Sequence, residues 1–361
     1  MSGTVDKIRR EVDRLDEDIL RLLNQRAGAC RKIGQIKIQK GDGIYSPQRE
    51  KEVLDRLKAL NKGPLTPQAI DAIYREVMSS SISLEKKVVI AYLGPEFTYT
   101  HQAAKKKFGS SVDYFPCTNI SDIFTEVERR RSDYGVVPVE NSTEGAVSYT
   151  LDMFIESPLK ICAEIYLPVG HHLLSKARTL GTIRNVYSNV QAFGQCRLWL
   201  ESNLPGAKLL PISSTAEAAR WVAGLSQNKK EDACIASLSA GEAYGLKVLA
   251  RSIEDNPQNT TRFLVISRLE SRPTREDKTS IVLAVKDRVG ALHDILVPFK
   301  KAKVNLTKIE SRPSKKKAWN YYFFVDFEGH HTDPRVRKTL KILERHCTLL
   351  KILGSYPKAE E

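Results

Sequence analysis

The sequence predicts a multidomain protein with an all-α N-terminal domain, an α/β middle domain and a C-terminal βαββαβ domain. The chain has 361 residues, which is more than one hydrophobic core usually serves. Its apolar residues follow a helical period at first, then alternate between strand-like runs and amphipathic stretches, and change pattern again near residue 278. We therefore expect domains at residues 1–86, 87–268 and 278–356.

The composition excludes several classes of protein. Hydrophobic residues make up 41% and charged residues 28% of the chain, and no apolar run approaches the roughly 20 residues of a membrane span. The N-terminus lacks an apolar secretion signal, so we expect a cytoplasmic protein. The six cysteines and seven histidines lack the spacing of metal ligands, so we expect no metal and no cofactor.

The net charge of +14 is not spread evenly along the chain. Most of the excess lies in residues 269–361 and includes Lys300-Lys301 and Lys315-Lys316-Lys317. No nucleic-acid-binding motif surrounds these runs, so they indicate solvated surface. A basic protein is also suited to acidic small molecules.

The first helix is predicted to run from Asp6 to about Lys40 and to end at Gly41-Asp42-Gly43. At ~1.5 Å per residue it spans roughly 50 Å, more than a compact domain of this size covers with its own chain. A partner subunit is therefore expected. Ser46-Pro47 and Thr66-Pro67 each predict the start of a further helix. The apolar stripe of the first helix consists of Ile8, Val12, Leu15, Ile19 and Leu22.

Polar residues interrupt these apolar stripes. Arg26 continues the first stripe, and Lys37 returns to within roughly 20° of the same face, whereas Arg9 is about 100° away and should face a different site. On the third helix, Ser81 and Glu85 fall on the buried face. Fraying helix ends would explain any one of these residues. The set favours a ligand site, because buried charges need partners.

This pattern resembles the all-helical class of chorismate mutases over about 80 residues. The resemblance implies an intertwined homodimer of three-helix chains, in which Arg9 serves the partner's pocket. It also implies rearrangement of chorismate to prephenate with no covalent intermediate, so that catalysis comes from conformer selection and charge stabilisation. The matching residues are Arg9, Leu15-Asp16, Arg26, Lys37, Tyr45-Ser46-Pro47-Gln48-Arg49-Glu50, Ser81 and Glu85.

Each residue type suits a role that this resemblance implies. Lys37 would donate to the ether oxygen, and Glu85 must work protonated, because an ionised carboxylate there would repel that oxygen. We therefore expect burial to raise the pKa of Glu85. Ser46 replaces an acidic residue of some relatives, which makes Glu50 the expected partner of the substrate hydroxyl. The forked donors for the two substrate carboxylates would be Arg9, Arg26 and Arg49.

In the middle domain, strand-like runs alternate with helical stretches, which predicts an α/β architecture with largely parallel strands. Three motifs closely resemble prephenate dehydratase over some 180 residues: Ala91-Tyr92-Leu93-Gly94-Pro95, Gly135 to Ser142, and Thr260-Thr261-Arg262-Phe263. The resemblance implies two α/β lobes with substrate between them, like a periplasmic binding protein. Phe97 departs from the family, whose members usually have Gly or Ala there.

Prephenate loses CO2 and hydroxide together, so this site needs a proton donor at the ring hydroxyl and contacts for the retained carboxylate. Thr261 is the expected donor or its positioner, although a threonine is a poor acid by itself. The residues expected to line the pocket are Glu140, Asn141, Ser142, Ser188 and Gln191, with Arg262 in a catalytic or structural role.

The C-terminal strand and helix order matches the ferredoxin-like motif. It resembles the ACT regulatory domain, which implies phenylalanine bound between paired ACT domains as an inhibitor. A fold-building turn without a ligand is the alternative. The expected binding residues are Gly290, Ala291, Leu292, Asn305, Glu310, Ser311, Arg312 and Pro313.

The sequence thus predicts a cofactor-free bifunctional enzyme with chorismate and prephenate as substrates and phenylalanine as effector. We expect a homo-oligomer, either a dimer or a tetramer, because the long helix and the paired ACT domains each need a partner. A dehydratase that prefers arogenate and a non-catalytic amino-acid-sensing or solute-binding protein are the alternatives.

Overall fold

The computed structural model describes residues 2–40, 43–226, 231–286, 288–314 and 321–359. The chain forms two compact units, residues 1–89 with 107–113, and residues 90–106 with 114–361. The predicted helix end at Gly41-Asp42 and the run Lys315-Lys316-Lys317 lie outside the described residues. None of the helices in the described part of the chain combines the length and the apolar composition of a membrane span.

Three helices form the first unit: α1 (Ser2–Lys40), α2 (Pro47–Leu60) and α3 (Pro67–Glu85). Both predicted helix starts are confirmed. The side chain of Ser46 caps α2 by accepting from the Arg49 amide, and that of Thr66 caps α3 by accepting from the Ala69 amide. Proline follows each cap, where a helix needs no amide donor.

Gly34 allows α1 to approach α3 closely. A Cβ at Gly34 would lie 2.6 Å from Cβ of Glu85, so any larger residue would push the two helices apart. By contrast, the apolar stripe along the N-terminal half of α1 is about half exposed in the single chain. Such a long exposed stripe is typical of a surface that another polypeptide covers.

The second unit begins with two α/β lobes. The first lobe has a sheet of order β2-β1-β3-β11-β5, with β4 paired to β3, and the second has the order β10-β6-β9-β7-β8. The strands are β1 (Val89–Leu93), β2 (Asp113–Cys117), β3 (Tyr134–Asn141), β4 (Gly145–Ala146), β5 (Lys160–Pro168), β6 (His172–Ser175), β7 (Asn185–Ser188), β8 (Lys208–Pro211), β9 (Asp232–Ala236), β10 (Lys247–Ala250) and β11 (Thr260–Ser267). The helices are α4 (Tyr99–Phe108), α5 (Ile120–Glu128), α6 (Ser148–Glu156), α7 (Val190–Gln195), α8 (Arg197–Asn203), α9 (Thr215–Gly224) and α10 (Leu238–Ala243).

The expectation of largely parallel strands is wrong, because both sheets are mixed. β1 pairs with β3 in parallel, but β11 is antiparallel to both β3 and β5. The chain leaves the first lobe after β5, builds the second lobe and returns as β11. It therefore re-enters the first sheet in the reverse direction. This return strand brings Thr261 opposite Asn141.

The C-terminal domain has the predicted βαββαβ order: β12 (Asp277–Val285), α11 (Ala291–Ala302), β13 (Leu306–Pro313), β14 (Tyr321–Glu328), α12 (Pro334–Glu344) and β15 (Cys347–Pro357). Its antiparallel sheet has the order β13-β14-β12-β15. Residues of this sheet and of the first lobe share one hydrophobic cluster, which includes Tyr356 and Phe154. At Gly354, a Cβ would overlap the carbonyl oxygen of Ile161, so glycine permits the backbones of β15 and β5 to meet directly.

Candidate functional sites

A cavity of about 640 Å³ lies within the helical unit and is called the helical cavity below. Its polar wall is built from all three helices. Six of its residues were expected from the sequence as site residues, whereas Tyr45 was only part of the matching segment and Lys107 was not identified. The charged and hydroxyl-bearing residues that line it include Arg26, Lys37, Tyr45, Arg49, Glu50, Ser81, Glu85 and Lys107.

Two cations of α1 are held in place by α3 and by the α1–α2 loop. Nη1 of Arg26 donates to Oγ of Ser81 over 2.5 Å and reaches the Val77 carbonyl at 3.4 Å. Nζ of Lys37 donates to the Ile44 carbonyl over 2.6 Å. The two side chains share the cavity, as the angular argument predicted. This arrangement presents two positive charges to an anionic ligand.

Glu85 supplies a buried carboxyl group to the cavity. Its side chain is 7% exposed, and Oε2 lies 3.8 Å from Nζ of Lys37. Among the described residues, this buried oxygen has no hydrogen-bond partner. Burial raises the pKa of Glu85, and the charges of Lys37 and Arg26 oppose that rise. The predicted direction of the pKa shift is confirmed, and the site retains a carboxyl oxygen for a ligand.

The remaining expected residues of the helical unit occupy different positions. Glu50 lines the cavity and its Oε2 accepts from the hydroxyl of Tyr45 over 2.7 Å. Arg49 sits at the rim, 63% exposed and paired with Glu52 at 3.1 Å. Arg9 is 76% exposed, pairs with Asp6 on its own helix and does not line the cavity of its own chain.

A second cavity, of about 820 Å³, separates the two α/β lobes and is called the interlobe cavity. Loops that follow strands form most of its wall, as expected for α/β folds. Three of the residues expected from the sequence line it, namely Asn141, Gln191 and Thr261. The other polar lining residues include Thr98, Tyr99, Glu144, His171, Asn189, Gln195 and Glu217.

The carboxamide of Asn141 fixes the hydroxyl of Thr261. Oδ1 of Asn141 accepts from the amides of Thr143 and Glu144 at 2.9 and 3.0 Å, so its Nδ2 must face the other way. Nδ2 donates to Oγ1 of Thr261 over 2.8 Å and to Oδ1 of Asn259 over 2.7 Å. Thr261 therefore accepts from Asn141, which leaves its own proton for a group in the cavity.

Asn259, Gln195 and His171 extend this network and were not identified in the sequence. Oε1 of Gln195 accepts from Nδ2 of Asn259 over 3.0 Å and lies 2.7 Å from Nε2 of His171. Burial lowers the pKa of His171. A neutral imidazole whose Nε2 carries the proton satisfies Gln195. The one signal in the sequence was the His171-His172 pair, which lies where the chain passes from β5 in the first lobe to β6 in the second.

Four predicted residues of the dehydratase-like segment do not line the interlobe cavity. Ser188 is fully buried and donates to the Ile235 carbonyl. Ser142 joins β3 to β11 by accepting from the Thr260 amide over 2.9 Å. Strand alternation explains the other two, because neighbours of Asn141 and Thr261 must point to the opposite face of the sheet. These are Glu140 and Arg262.

Glu140 and Arg262 face the C-terminal sheet, where they form an ion quartet with Lys308 and Asp326. Arg262 and Glu140 are paired residues of β11 and β3, and Lys308 and Asp326 are paired residues of β13 and β14. Arg262 lies 2.6 Å from Asp326, Lys308 lies 2.8 Å from Glu140, and Arg262 lies 3.9 Å from Glu140. Arg262 also contacts Glu164 at 2.9 Å. The quartet thus lies directly behind the Asn141–Thr261 pair.

The predicted ACT residues belong to a turn and an edge strand. Gly290 adopts a left-handed conformation (φ 78°) that glycine favours, at the start of α11. Gly290, Leu292 and Asn305 are exposed, whereas Ala291 is half-buried. Arg312 points elsewhere, since it pairs with Asp152 at 3.2 Å and donates to the Ser148 hydroxyl over 2.6 Å. Glu310, Ser311 and Pro313 lie on β13 beside it.

Comparison with known proteins gives a family match for each part of the chain. Three family models match consecutive parts of the chain: Chorismate mutase type II at residues 8–86, Prephenate dehydratase at 90–271 and ACT domain at 279–345. The bifunctional chorismate mutase/prephenate dehydratase of Aquifex aeolicus is 51% identical over 357 residues, covering 98% of each chain. The chain belongs to the bifunctional chorismate mutase/prephenate dehydratase family.

Other relatives agree with this membership. The bifunctional chorismate mutase/prephenate dehydratase of Pseudomonas aeruginosa is 43% identical and covers 98% of this chain and 97% of its own. Among solved structures, the prephenate dehydratase of Arthrobacter aurescens in complex with L-Phe is 36% identical with a TM-score of 0.69. It covers 75% of this chain and 90% of its own. The protein is thus a chorismate mutase and prephenate dehydratase with an ACT domain.

Proposed function

We propose that the helical cavity is the chorismate mutase site and the interlobe cavity the prephenate dehydratase site, with domains at residues 1–86, 87–268 and 278–356. The observation that carries the first assignment is the buried carboxyl of Glu85, whose Oε2 has no hydrogen-bond partner among the described residues, in one cavity with Lys37 and Arg26. A dianion that bears an ether oxygen matches this set of donors.

In the mutase reaction, Arg26 binds one substrate carboxylate, and Arg49 together with Arg9 of a second copy binds the other. Lys37 and protonated Glu85 donate to the ether oxygen as its C–O bond breaks and negative charge grows there. Ser81 holds Arg26 in position, and Glu50 accepts from the substrate hydroxyl. No proton leaves the enzyme, so the rate depends on positioning and on fixed charge.

In the dehydratase reaction, prephenate takes up a proton and releases CO2 and water to give phenylpyruvate. The Thr261 hydroxyl donates its hydrogen bond to the departing ring hydroxyl, while Asn141 holds Oγ1 in place. Thr261 is a weak acid, so it orients the leaving group and relays a proton from solvent or substrate. Gln191 and the amides of the strand-following loops bind the retained carboxylate.

Phenylalanine is the proposed effector, bound to the ACT domain near Gly290, Ala291, Leu292 and Asn305. The support is the ACT family match together with a 36% identical dehydratase solved with L-Phe. We also propose a cytoplasmic homo-oligomer. The exposed stripe of α1 and the position of Arg9, remote from the cavity of its own chain, support a dimer.

One coupled assay tests this function. Chorismate is supplied to the full chain, prephenate and phenylpyruvate are followed, and the assay is repeated with phenylalanine. We expect Lys37→Ala to stop prephenate formation while phenylpyruvate still forms from added prephenate, and Thr261→Ala to do the reverse. Faster turnover of arogenate than of prephenate would support the arogenate alternative. Binding of either compound without turnover would support a solute-binding protein.

A further inference from the structure

Residues 107–113 have an unexpected position. The Prephenate dehydratase family model covers them, yet they belong to the compact unit of residues 1–89. Two of them, Lys107 and Phe108, line the helical cavity. Both residues lie outside the segment that matches the mutase model, which ends at residue 86.

Specific contacts hold this segment against α3. The amide of Ser110 donates to Oε2 of Glu76, and the amide of Ser111 donates to Oγ of Ser79, both over 3.0 Å. Between them and Lys107, Gly109 has a φ of 72°, and a Cβ there would lie 2.5 Å from Cβ of Ser79. Only glycine fits this close approach without displacement. These contacts therefore fix the segment against α3.

Lys107 and Phe108 converge on the pair formed by Tyr45 and Glu50. Nζ of Lys107 lies 3.3 Å from Oε2 of Glu50 and 6.0 Å from the centre of the Tyr45 ring. The ring of Phe108 packs on Tyr45 with centroids 4.8 Å apart. The side chains of Lys107 and Glu50 are 24% and 15% exposed, so solvent screens this ion pair only in part.

Both polar contacts use the same carboxylate oxygen. Tyr45 and Lys107 each reach Oε2 of Glu50. Since both of these contacts of Glu50 occupy Oε2, Oε1 is the oxygen that it offers to a ligand in the cavity. When one oxygen of a carboxylate is held in place, the other oxygen has a fixed direction and is pre-organised to accept a hydrogen bond from a substrate hydroxyl.

We propose that Lys107 is a positioning residue of the chorismate mutase site, acting through Glu50. The proposal rests on the assigned role of Glu50 and makes the mutase reaction depend on a residue that belongs to the dehydratase sequence. Lys107 holds Oε2 together with Tyr45 and thereby fixes the direction of Oε1. It forms no bond to the reacting atoms.

The test uses full-length Lys107→Met, which keeps the aliphatic stem over Tyr45, Lys107→Arg, which keeps the charge, and Lys105→Met as a matched control at an exposed lysine of α4. We expect Lys107→Met to lower mutase kcat/KM about tenfold. Dehydratase turnover of supplied prephenate should stay within about twofold of wild type. Lys107→Arg should recover at least about half of the mutase activity, and Lys105→Met should change neither reaction.

A double-mutant cycle with Glu50→Gln separates positioning from direct substrate binding. If Lys107 acts through Glu50, Lys107→Met in the Glu50→Gln background should change mutase kcat/KM by less than about twofold. A tenfold effect that persists in that background, or full mutase activity of Lys107→Met, would overturn the proposal. A fully active Glu50→Gln single variant would instead refute the assigned role of Glu50.

Discussion

Asn141 donates to Oγ1 of Thr261 over 2.8 Å from the directly opposed position on the neighbouring strand. The opposite side of the same two strands carries Glu140 and Arg262, which pair with the C-terminal sheet. One pair of adjacent strands thus carries residues of the interlobe cavity on one face and ion pairs to the C-terminal sheet on the other.

The Asn141–Thr261 contact predicts the result of a nearly isosteric change. In Asn141→Asp, an acceptor replaces the donor, so the Thr261 proton turns towards the carboxylate and away from the cavity. We expect dehydratase kcat to fall about 100-fold, in the range of a lost general acid. Mutase activity in the same preparation is the folding control. Thr261→Ser should retain most activity, and an Asn141→Asp enzyme of normal kcat would contradict this account.

Glu85 predicts the pH dependence of the mutase. Burial raises its pKa, so the protonated form that donates to the ether oxygen persists to a higher pH than for an ordinary glutamate. As pH rises through that pKa, Glu85 ionises and kcat/KM should fall. Glu85→Gln carries a permanent donor, so its profile should be flat where that of wild type falls. Two superimposable profiles would reject the role.

Arg9 predicts complementation between subunits. Arg9→Ala and Lys37→Ala should each abolish mutase activity, because each lacks a cation of the proposed site that two subunits share. After subunit exchange, mixed dimers contain one complete site, so an equal mixture should regain about a quarter of wild-type activity. Dehydratase activity, measured before and after exchange, controls for recovery of protein. An exchanged mixture that stays inactive would place Arg9 outside the partner's site.

The ion quartet predicts separation of inhibition from catalysis. In Lys308→Met, Glu140 loses its ion pair with the C-terminal sheet. A conformational change in the ACT domain should then alter the position of Asn141 less. We expect the phenylalanine concentration for half-inhibition of the dehydratase to rise about fivefold or more, within the range of measured coupling energies. Lys301→Met, an exposed lysine of α11, is the matched control. Equal inhibition curves for both variants would exclude the quartet from coupling.

Phe97 predicts a reversal of the usual order of alanine and glycine. Its φ is 66°, and its amide donates to Nδ1 of His101, which stays neutral because burial lowers its pKa to about 4. The ring packs on Tyr244 in the second lobe. Phe97→Ala and Phe97→Gly both lose that packing, but only alanine keeps the strain. Phe97→Gly should unfold with a free energy about 1 kcal/mol higher than Phe97→Ala, measured by denaturant titration.

Local chemistry made much of the fold predictable. Ser46-Pro47 and Thr66-Pro67 predict helix starts from their capping chemistry alone. After residue 278, apolar residues that recur with periods of 2 and 3.6 predict the βαββαβ order. The helical cavity could also be predicted from the sequence. Arg26, Lys37, Ser81 and Glu85 lie on helices, where the spacing of residues along the chain fixes the direction of their side chains. The position of Lys107 in this cavity could not be predicted, because residues 107–113 belong to the dehydratase part of the sequence but pack against the helical unit.

The sequence by itself determined the three domain types, the helix starts and the chemical identity of most candidate groups, because capping, periodicity and motif are properties of neighbouring residues. Only the tertiary structure decided that Glu140 and Arg262 face away from the cavity, that Ser188 is buried, and that Asn259, Gln195 and His171 join Thr261. The burial of Ser188 depends on the pairing of β7 with β9, and the positions of Glu140, Arg262 and Thr261 depend on a return strand that is antiparallel to β3. Asn141 and Thr261, which meet in this way, are 120 positions apart in the chain. Strand pairing is a long-range choice made by packing of the whole sheet, so no local pattern specifies it.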